Sequence, residues 1–314
     1  MCTVTFIPRE DGFYVAMNRD ERIARPFAKP PALFGEGFVR SMYPLDCEGG
    51  TWIAANQMGI AFTLLNWNDA PVLHKKSRTR GHVIPALVSS NCSRSAELVL
   101  GKIDMDGVLP FRLIGIFPNE ERVVEWAWNQ RSIERNTFRW RPTQWCSSSL
   151  SDAIATVARG LVFEEKLAAR NAGSLRWLRQ LHASHDNDSR FSHCVHRETV
   201  GTVSYTELVC SDESIECKYR AGNPCSLHMN RHGTNDFAVC AQSSRIERSV
   251  GNTSRISETD SHNPVLGSSR LNADDRLSLG LLGSVEGGNR IVEGSHIADV
   301  YPQPTTPDSL GELT

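Results

Sequence analysis

The sequence predicts an α+β domain in which helices cover antiparallel sheets, followed by a polar C-terminal tail. Up to about residue 218 apolar runs alternate with sharp turns, and several of these runs form hairpins in series. Helical patterns stand mostly between the hairpins. Because hairpin strands are antiparallel, this order favours antiparallel sheets covered by helices over a parallel βαβ array. We therefore divide the chain into a folded domain of residues 1–218 and a tail of residues 219–314.

Four hairpins are predicted from pairs of apolar runs joined by turn residues. The first joins Thr3–Pro8 to Phe13–Met17 through an Asp-Gly turn, which is a strong hairpin signal. The other three combine Thr51–Asn56 with Ile60–Asn66, Arg112–Phe117 with Val123–Trp128, and His193–Glu198 with Thr202–Cys210. In the last of them, His193 and His196 are interpreted as histidines on a strand surface.

Helices are predicted where apolar residues recur at three- and four-residue spacing. Leu175, Leu178 and Leu181 show this spacing, and Asn91 is a candidate N-cap. Arg80 is interpreted as a solvated charge at a helix entry. The predicted helices are Val83–Ser89, Ser93–Leu100, Leu150–Arg170 and Ser174–His185.

The composition restricts the possible partners and compartments. The formal net charge of -2 provides no basic field, so we expect neither nucleic acid nor an anionic membrane as a partner. No apolar run approaches the roughly 18 residues of a membrane span, and the N-terminus lacks signal-peptide features, so we expect a cytoplasmic protein. Residues 219–314 are rich in Ser, Asn, Gly, Asp and Arg, a composition that predicts a mostly disordered tail.

The nine cysteines fit a reducing compartment. Their number is odd, they are widely scattered and no CxxC pair is present, so they do not indicate a disulfide framework. One group of cysteines and histidines could hold zinc, but the spacings between its residues match no compact zinc module. Its members are Cys210, Cys217, Cys225 and Cys240 with His228 and His232. We expect no metal and no cofactor.

Cys2 is the leading candidate for chemistry. Removal of the initiator Met would leave a thiol and a free α-amine on one residue, and the amine can act as a base near neutral pH. The segment Met17–Glu21 closes the hairpin that Cys2 begins, which brings its polar side chains back to the first strand. Arg19 is expected to lower the pKa of the thiol, and Asp20 is expected to hold the α-amine.

A second polar cluster surrounds the second hairpin. Gly49 and Gly50 precede Thr51 and Trp52, and paired glycines allow a close approach of the backbone. Asn66 ends an apolar strand and would offer an amide N–H to an oxyanion. An Asx turn is the alternative role for this Asn66 side chain.

These segments together resemble the NRDE family, which includes the transport and Golgi organisation 2-like proteins. The resemblance covers about residues 1–215. It rests on the Met-Cys start, Met17–Glu21, Gly49-Gly50-Thr51-Trp52, Leu65-Asn66-Trp67, Arg80-Gly81, Trp145–Leu150 and Phe191–Thr206. The same layout more distantly resembles cysteine amidohydrolases related to penicillin V acylase and bile salt hydrolase. Their N-terminal-nucleophile (Ntn) hydrolase fold implies a four-layer αββα sandwich of two antiparallel sheets.

The resemblance implies catalytic roles for several residues. Cys2 matches the nucleophile of these enzymes, Arg19 their hairpin arginine and Asn66 an early oxyanion-hole asparagine. Asp20 is an approximate counterpart of their aspartate. Serines stand at residues 147–149, where many relatives carry an Asn, and no counterpart of a later substrate-side arginine is found. The candidate substrate-binding residues are Asn18, Trp52, Trp67 and Ser149.

Two functional hypotheses follow from this pattern. In the first, the domain is a cysteine amidohydrolase that cleaves a non-peptide C–N bond of a small-molecule substrate. In the second, the same fold is a non-catalytic binding or trafficking protein for a hydrophobic ligand such as haem, a lipid or an acyl compound. Loss of turnover in Cys2→Ala would favour the first. Retention of a ligand regardless of Cys2→Ser would favour the second.

Overall fold

The computed structural model describes residues 2–35, 39–73, 78–185, 190–228 and 236–244. These ranges contain strands β1 (Cys2–Arg9), β2 (Gly12–Arg22), β3 (Lys29–Phe34), β4 (Ser41–Leu45), β5 (Ile53–Asn56), β6 (Ala61–Asn66), β7 (Phe111–Phe117), β8 (Arg122–Trp128), β9 (Ile133–Phe138), β10 (Thr143–Ser147), β11 (Val200–Ser211), β12 (Ser214–Ala221) and β13 (Asp236–Gln242). The helices are α1 (Val83–Leu87), α2 (Ser93–Leu100), α3 (Asp152–Leu167) and α4 (Leu175–His182), with 3₁₀ helices at Pro118–Glu120 and Pro224–His228.

The strands form two antiparallel sheets. Sheet 1 has the order β10-β1-β2-β11-β12-β13, so the N-terminal strand lies inside the sheet between β10 and β2. Sheet 2 runs β3-β4-β5-β6-β7-β8-β9 in chain order. Neighbouring strands in both sheets are antiparallel, as the sequence predicts. The position of β1 inside sheet 1 gives Cys2 a paired strand on each side.

The sheets stack face to face, and helices cover their outer faces. Val4 and Phe6 of β1 share one buried core with Ile53 and Ile114 of sheet 2. A second core joins α1 and α2 to the outer face of sheet 2, and a third joins α3 and α4 to the outer face of sheet 1. This confirms the predicted four-layer αββα sandwich. Among the described residues, no helix is long and apolar enough to cross a membrane.

The turn between β1 and β2 depends on a glycine. Gly12 has a φ of +152°, and a Cβ there would lie 1.9 Å from the carbonyl oxygen of Cys210. Any side chain at residue 12 would therefore push β11 away from β2. The longest ladder of sheet 1, which extends from Val200 opposite Arg22 to Ser211 opposite Gly12, requires this close approach.

Three of the four predicted hairpins, β1–β2, β5–β6 and β7–β8, are confirmed. The fourth is wrong, because residues 193–198 form no strand and make one isolated bridge at His196. The carbonyl groups of residues 191–193 accept hydrogen bonds from the buried side chains of Arg159 and Asn18. Side chains therefore donate the hydrogen bonds that a neighbouring strand would otherwise donate to these backbone carbonyl groups. The strand predicted to complete this hairpin, β11, pairs with β2 and β12 instead.

All four predicted helices are present: α2 has the predicted ends, and the other three are shorter than predicted. The N-cap of α2 is Cys92 rather than Asn91, since the Cys92 sulfur accepts a hydrogen bond from the backbone of Ser95. Helix α3 begins at Asp152 and is capped by the Ser151 side chain. The shifts reflect caps that the hydrophobic pattern does not resolve.

Sheet 1 extends beyond residue 218, the end of the folded domain that the sequence predicts. Strand β12 reaches Ala221, and β13 pairs with it along its whole length. Ala241 is the one buried residue of β13, so this edge strand is held mainly by backbone pairing, although Phe237–Ala241 is an unbroken apolar run. Of the predicted tail, residues 229–235 and 245–314 lie outside the described residues.

Candidate active site

Cys2 begins β1 and is held between two neighbouring strands. It lies in register with Ser147 of β10 on one side and Arg19 of β2 on the other. Its backbone nitrogen donates a hydrogen bond to Ser147 Oγ over 2.9 Å. The side chain is 6% exposed and belongs to the core between the sheets. The strand pairing therefore fixes the position of the Cys2 nitrogen relative to its thiol.

The electrostatic environment of the Cys2 thiol is dominated by burial. Burial raises the pKa of Cys2 above its usual value, and the carboxylate of Asp20 acts in the same direction. The charge of Arg19 lowers this pKa, as expected from the sequence, but its effect is smaller than that of burial. The thiol in this structure is therefore protonated at neutral pH.

Arg19 and Trp52 meet in the space between the sheets. The Arg19 guanidinium lies over the Trp52 ring, 4.4 Å from the ring centroid. Arg19 is 7% exposed. The Trp52 indole Nε1 is buried without a hydrogen-bond partner among the described residues. Buried donors normally have partners. This pair therefore presents a cation and a free N–H donor near the start of β1.

Asp20 faces the helix layer, on the opposite side of β2 from Arg19. Its Oδ1 accepts a 2.6 Å hydrogen bond from Thr202, and its Oδ2 lies 3.5 Å from Arg159 Nη2. Both charged side chains are completely buried. Arg159 also contacts the carbonyl oxygen of Cys2 at 3.4 Å. The Asp20–Arg159 pair thus supports the Cys2 backbone, and the expected contact between Asp20 and the α-amine stays a prediction.

Asn18 also faces the helices, whereas Cys2 and Arg19 face sheet 2. Its Nδ2 donates to the carbonyl oxygens of His182 and His193, each over 2.8 Å. His193 is fully buried, so its assignment to a strand surface is wrong. Asn18 therefore joins sheet 1 to α4 and to the segment that precedes β11.

The buried histidine beside Asn18 makes the fold sensitive to acid. Burial lowers the pKa of His182 well below its usual 6.5, and the nearby charges of His193 and Arg159 act in the same direction. As the pH falls through about 6.5, the unfolded chain gains a proton at this residue and the folded chain does not. The stability that the neutral His182 contributes is thus fully present above that pH. Below it, the free energy of unfolding falls by about 1.4 kcal/mol per pH unit.

We expect His182→Gln to flatten the loss of stability between about pH 6.5 and pH 5. The Gln amide can retain the hydrogen bond that His182 Nε2 makes with Thr5 Oγ1 at 2.9 Å. Urea unfolding at several pH values measures the slope, and His82→Gln is the matched control at a half-buried histidine. An unchanged acid slope in His182→Gln would contradict the assignment.

Asn66 ends β6, and the loop after it is fastened beside β10. The carboxylate of Asp152 accepts hydrogen bonds from Asn68 N at 2.5 Å, Asn68 Nδ2 at 2.9 Å and Ser148 N at 2.6 Å. Ser148 directly follows Ser147, the contact of Cys2. This connection places the end of β6 on the same side of the molecule as Cys2.

Two other predicted binding residues are less closely connected with Cys2. Trp67 is half-buried, and its backbone nitrogen donates to the carbonyl oxygen of Pro110 over 3.2 Å. Ser149 is exposed. The serine that contacts Cys2 is Ser147, two residues earlier.

Arg80 is a candidate site residue that its sequence context does not reveal. It precedes α1 as predicted, but its side chain is half-buried and its Nε donates to the Pro110 carbonyl oxygen over 2.9 Å. Burial lowers the pKa of Arg80 to about 10, and the ionised form of Cys2 and the Glu21 carboxylate oppose this shift. Arg80 therefore remains cationic at neutral pH and lies within electrostatic reach of Cys2.

Two glycines position Arg80. The backbones of Gly50 and Gly81 are so close that a Cβ on Gly50 would lie 2.6 Å from Gly81 Cα. Thr51 N also donates to the Gly81 carbonyl oxygen over 3.1 Å. The close approach expected for the paired glycines is thus made with the Arg80-Gly81 dipeptide. It joins the segment that carries Trp52, directly before β5, to the segment that carries Arg80.

Two solved structures resemble the chain at low sequence identity. A penicillin V acylase from Agrobacterium tumefaciens is similar in structure, with 10% identity and a TM-score of 0.43 over 70% of this chain and 83% of that chain. A mutant of the conjugated bile acid hydrolase from Clostridium perfringens is similar with 8% identity and a TM-score of 0.41, over 76% of this chain and 92% of that chain. No curated protein sequence matches the chain.

The family model described as Transport and Golgi organisation 2 matches residues 1–212. The match includes Cys2, the polar end of β2, the glycine contact and the β10 serines described above. It therefore spans more than half of the 314 residues, and the chain belongs to the Transport and Golgi organisation 2 family.

Proposed function

We propose that the domain is a cysteine amidohydrolase of the N-terminal-nucleophile type that cleaves a linear, non-peptide C–N bond in a small molecule. The observation that carries the proposal is the 2.9 Å hydrogen bond from the Cys2 nitrogen to Ser147 Oγ, made by a residue that also lies in register with Arg19. The proposal requires removal of Met1, which turns this nitrogen into an α-amine. Ser147 would then hold the amine beside the thiol.

The reaction follows from the thiol and the amine on one residue. The Cys2 sulfur attacks the substrate carbonyl carbon and forms a C–S bond, while the thiol proton passes to the neutral α-amine. Collapse of the tetrahedral intermediate breaks the C–N bond, and the ammonium returns that proton to the leaving nitrogen. Water then attacks the thioester carbon and forms a C–O bond, while the amine accepts a proton from the water. Collapse of this second intermediate breaks the C–S bond, the ammonium returns the proton to sulfur, and the carboxylic acid is released.

Nearby donors would bind the substrate and its oxyanion. Asn66 and backbone N–H groups are proposed to stabilise the oxyanion, and the free Trp52 Nε1 supplies a further donor. Arg19 and Arg80 provide two guanidinium groups, which suit a substrate that carries a carboxylate. Trp67, half-buried beyond Asn66, is proposed to contact the apolar part of the substrate.

The first test combines intact-mass analysis with the pH profile of Cys2 alkylation. We expect a chain that lacks Met1 and a Cys2 thiol with a pKa below about 8.5, because the new ammonium group favours the thiolate. The matched control is the same chain with an N-terminal extension, in which Cys2 stays in peptide linkage and burial keeps its pKa raised. Cys47 is an exposed reference thiol.

Equal alkylation profiles in the processed and extended chains would contradict the proposed nucleophile. Turnover of an identified amide that survives Cys2→Ala would contradict it as well. A haem, lipid or acyl ligand that copurifies and is retained by Cys2→Ser would instead favour the non-catalytic binding function. The nine cysteines, all free thiols, support the accompanying proposal of a reducing, cytoplasmic location.

A further inference from the structure

A second cluster of reactive side chains lies apart from the Cys2 thiol. It consists of His185, Cys194, His196 and Cys225, and their four potential ligand atoms all lie within 4.8 Å of one another. Among the described residues, this is the one group of three or more His, Cys, Asp or Glu side chains that meets this condition. We call it the four-ligand cluster.

The spacing of the cluster fits a tetrahedral metal ion. Cys194 Sγ lies 3.4 Å from His196 Nε2, and His196 Nε2 lies 3.2 Å from Cys225 Sγ. Tetrahedral zinc, with Zn–S near 2.3 Å and Zn–N near 2.0–2.1 Å, places sulfur and nitrogen ligands about 3.5 Å apart. The His185 and His196 rings, with centroids 4.9 Å apart, complete the set.

The donor types favour zinc among the common metals. Two sulfurs and two imidazole nitrogens form the ligand set of closed structural zinc sites.

We propose that His185, Cys194, His196 and Cys225 bind one Zn²⁺ ion in a closed structural site. Binding forms two Zn–S and two Zn–N bonds and releases the two thiol protons to solvent, with no change in oxidation state. His196 uses Nε2 towards the metal, which leaves its Nδ1 for Asn223. His196 Nδ1 lies 3.5 Å from Asn223 Nδ2, and with the Asn223 amide turned over its oxygen accepts a hydrogen bond from the Nδ1–H group.

The proposed ion would join three separate parts of the chain. His185 follows α4, Cys194 and His196 lie in the segment before β11, and Cys225 lies in the 3₁₀ helix Pro224–His228. The segment before β11 contains no regular strand, so a metal would supply the rigidity that a ladder does not. Structural zinc contributes directly to folding free energy.

This segment also supports the candidate active site. Val195 N donates to Thr202 Oγ1 over 2.9 Å, and Thr202 Oγ1 donates to Asp20 over 2.6 Å. The carbonyl oxygens of Phe191 and Ser192 accept hydrogen bonds from Arg159. A zinc ion at Cys194 would therefore stabilise the groups around the Asp20–Arg159 pair without touching the substrate.

The ligands have no recognisable spacing in the sequence. Of the cysteines and histidines that the sequence offers as zinc candidates, Cys225 alone belongs to the four-ligand cluster. Cys210 and Cys217 are buried on β11 and β12, Cys240 is exposed on β13, and the His228 side chain and His232 lie outside the described residues. The pairing of β11 with β12, followed by a short 3₁₀ helix, brings Cys225 back to Cys194.

The test measures metal content in the untagged full-length protein, purified under reducing conditions from zinc-supplemented medium. We expect about one zinc per chain by elemental analysis. Cys194→Ser/Cys225→Ser should lose it. The matched control is Cys47→Ser/Cys240→Ser, which removes two exposed thiols and should retain the zinc. Replacement by Co²⁺ should give thiolate charge-transfer absorption and the visible bands of a tetrahedral site.

Several outcomes would overturn the proposal. One is wild-type protein without zinc that also fails to show the cobalt spectrum with reduced thiols. Another is a Cys194–Cys225 disulfide, found by peptide mapping without reductant, that persists in the zinc-supplemented protein. A third is equal zinc content in the cluster variant and the control variant. If the cluster variant does not fold, the zinc content and cobalt spectrum of the wild-type protein still decide the question.

Discussion

Replacement of Arg159 by Met is expected to lower the free energy of unfolding by about 3–5 kcal/mol, because it removes a buried guanidinium that pairs with the buried Asp20 carboxylate. Arg159 and Asp20 are both completely buried. The guanidinium also donates to Thr3 Oγ1 over 2.7 Å and to two backbone carbonyls before β11. Met fills similar volume but satisfies none of these acceptors, so the cost includes several unpaired polar groups.

Denaturant unfolding measures this change, and Arg122→Met is the matched control. Arg122 forms an exposed ion pair with Glu120, and the removal of such pairs costs about 0–1 kcal/mol. Asp20→Asn combined with Arg159→Met should recover part of the loss, because the double variant removes the unpaired charge. If Arg159→Met is as mild as Arg122→Met, the ion pair does not support the fold as described.

Much of the fold is predictable because its signals are local. The Asp-Gly turn at Gly12 and the apolar runs on both sides of it stand in adjacent residues, and the hairpin that they predict is confirmed. The segment before β11 has an equally strand-like sequence, yet its partners are Arg159 and Asn18, which come from distant parts of the chain. A pattern within one segment cannot reveal that side chains will occupy its backbone acceptors.

The candidate site divides in the same way. Cys2 and Arg19 come together through a single hairpin, so the sequence alone predicts their proximity. Ser147 reaches Cys2 through a pairing of strands 145 residues apart, and Arg80 reaches it through the contact between Gly50 and Gly81. Such contacts depend on the arrangement of the whole sheet. The Gly-Gly and Arg-Gly dipeptides indicate close approach, but not which backbone approaches which.

Replacement of Asp152 by Ala is expected to lower the free energy of unfolding by about 1–3 kcal/mol and to release the loop after β6. The carboxylate accepts hydrogen bonds from Asn68, Asp69 and Ser148. An alanine leaves the buried Ser148 N–H without this acceptor, whereas the donors of the exposed Asn68 and Asp69 can turn to water. The reciprocal bond from Asp152 N to Asp69 Oδ1 at 3.0 Å shows that two segments hold each other.

The consequence for the site distinguishes this residue from an ordinary stabilising contact. Asp152 fastens the loop after Asn66 to Ser148, next to the serine that contacts the Cys2 nitrogen. We therefore expect Asp152→Ala to increase proteolysis and hydrogen exchange at residues 66–69 as well as to lower stability. Asp104→Ala is the matched control, since its exposed carboxylate accepts one backbone N–H, from Asp106, and pairs with Arg78. A loss of stability in Asp152→Ala without greater exchange at residues 66–69 would mean that β6 and β7 alone hold the loop, and Asn66 would not depend on Asp152 for its position.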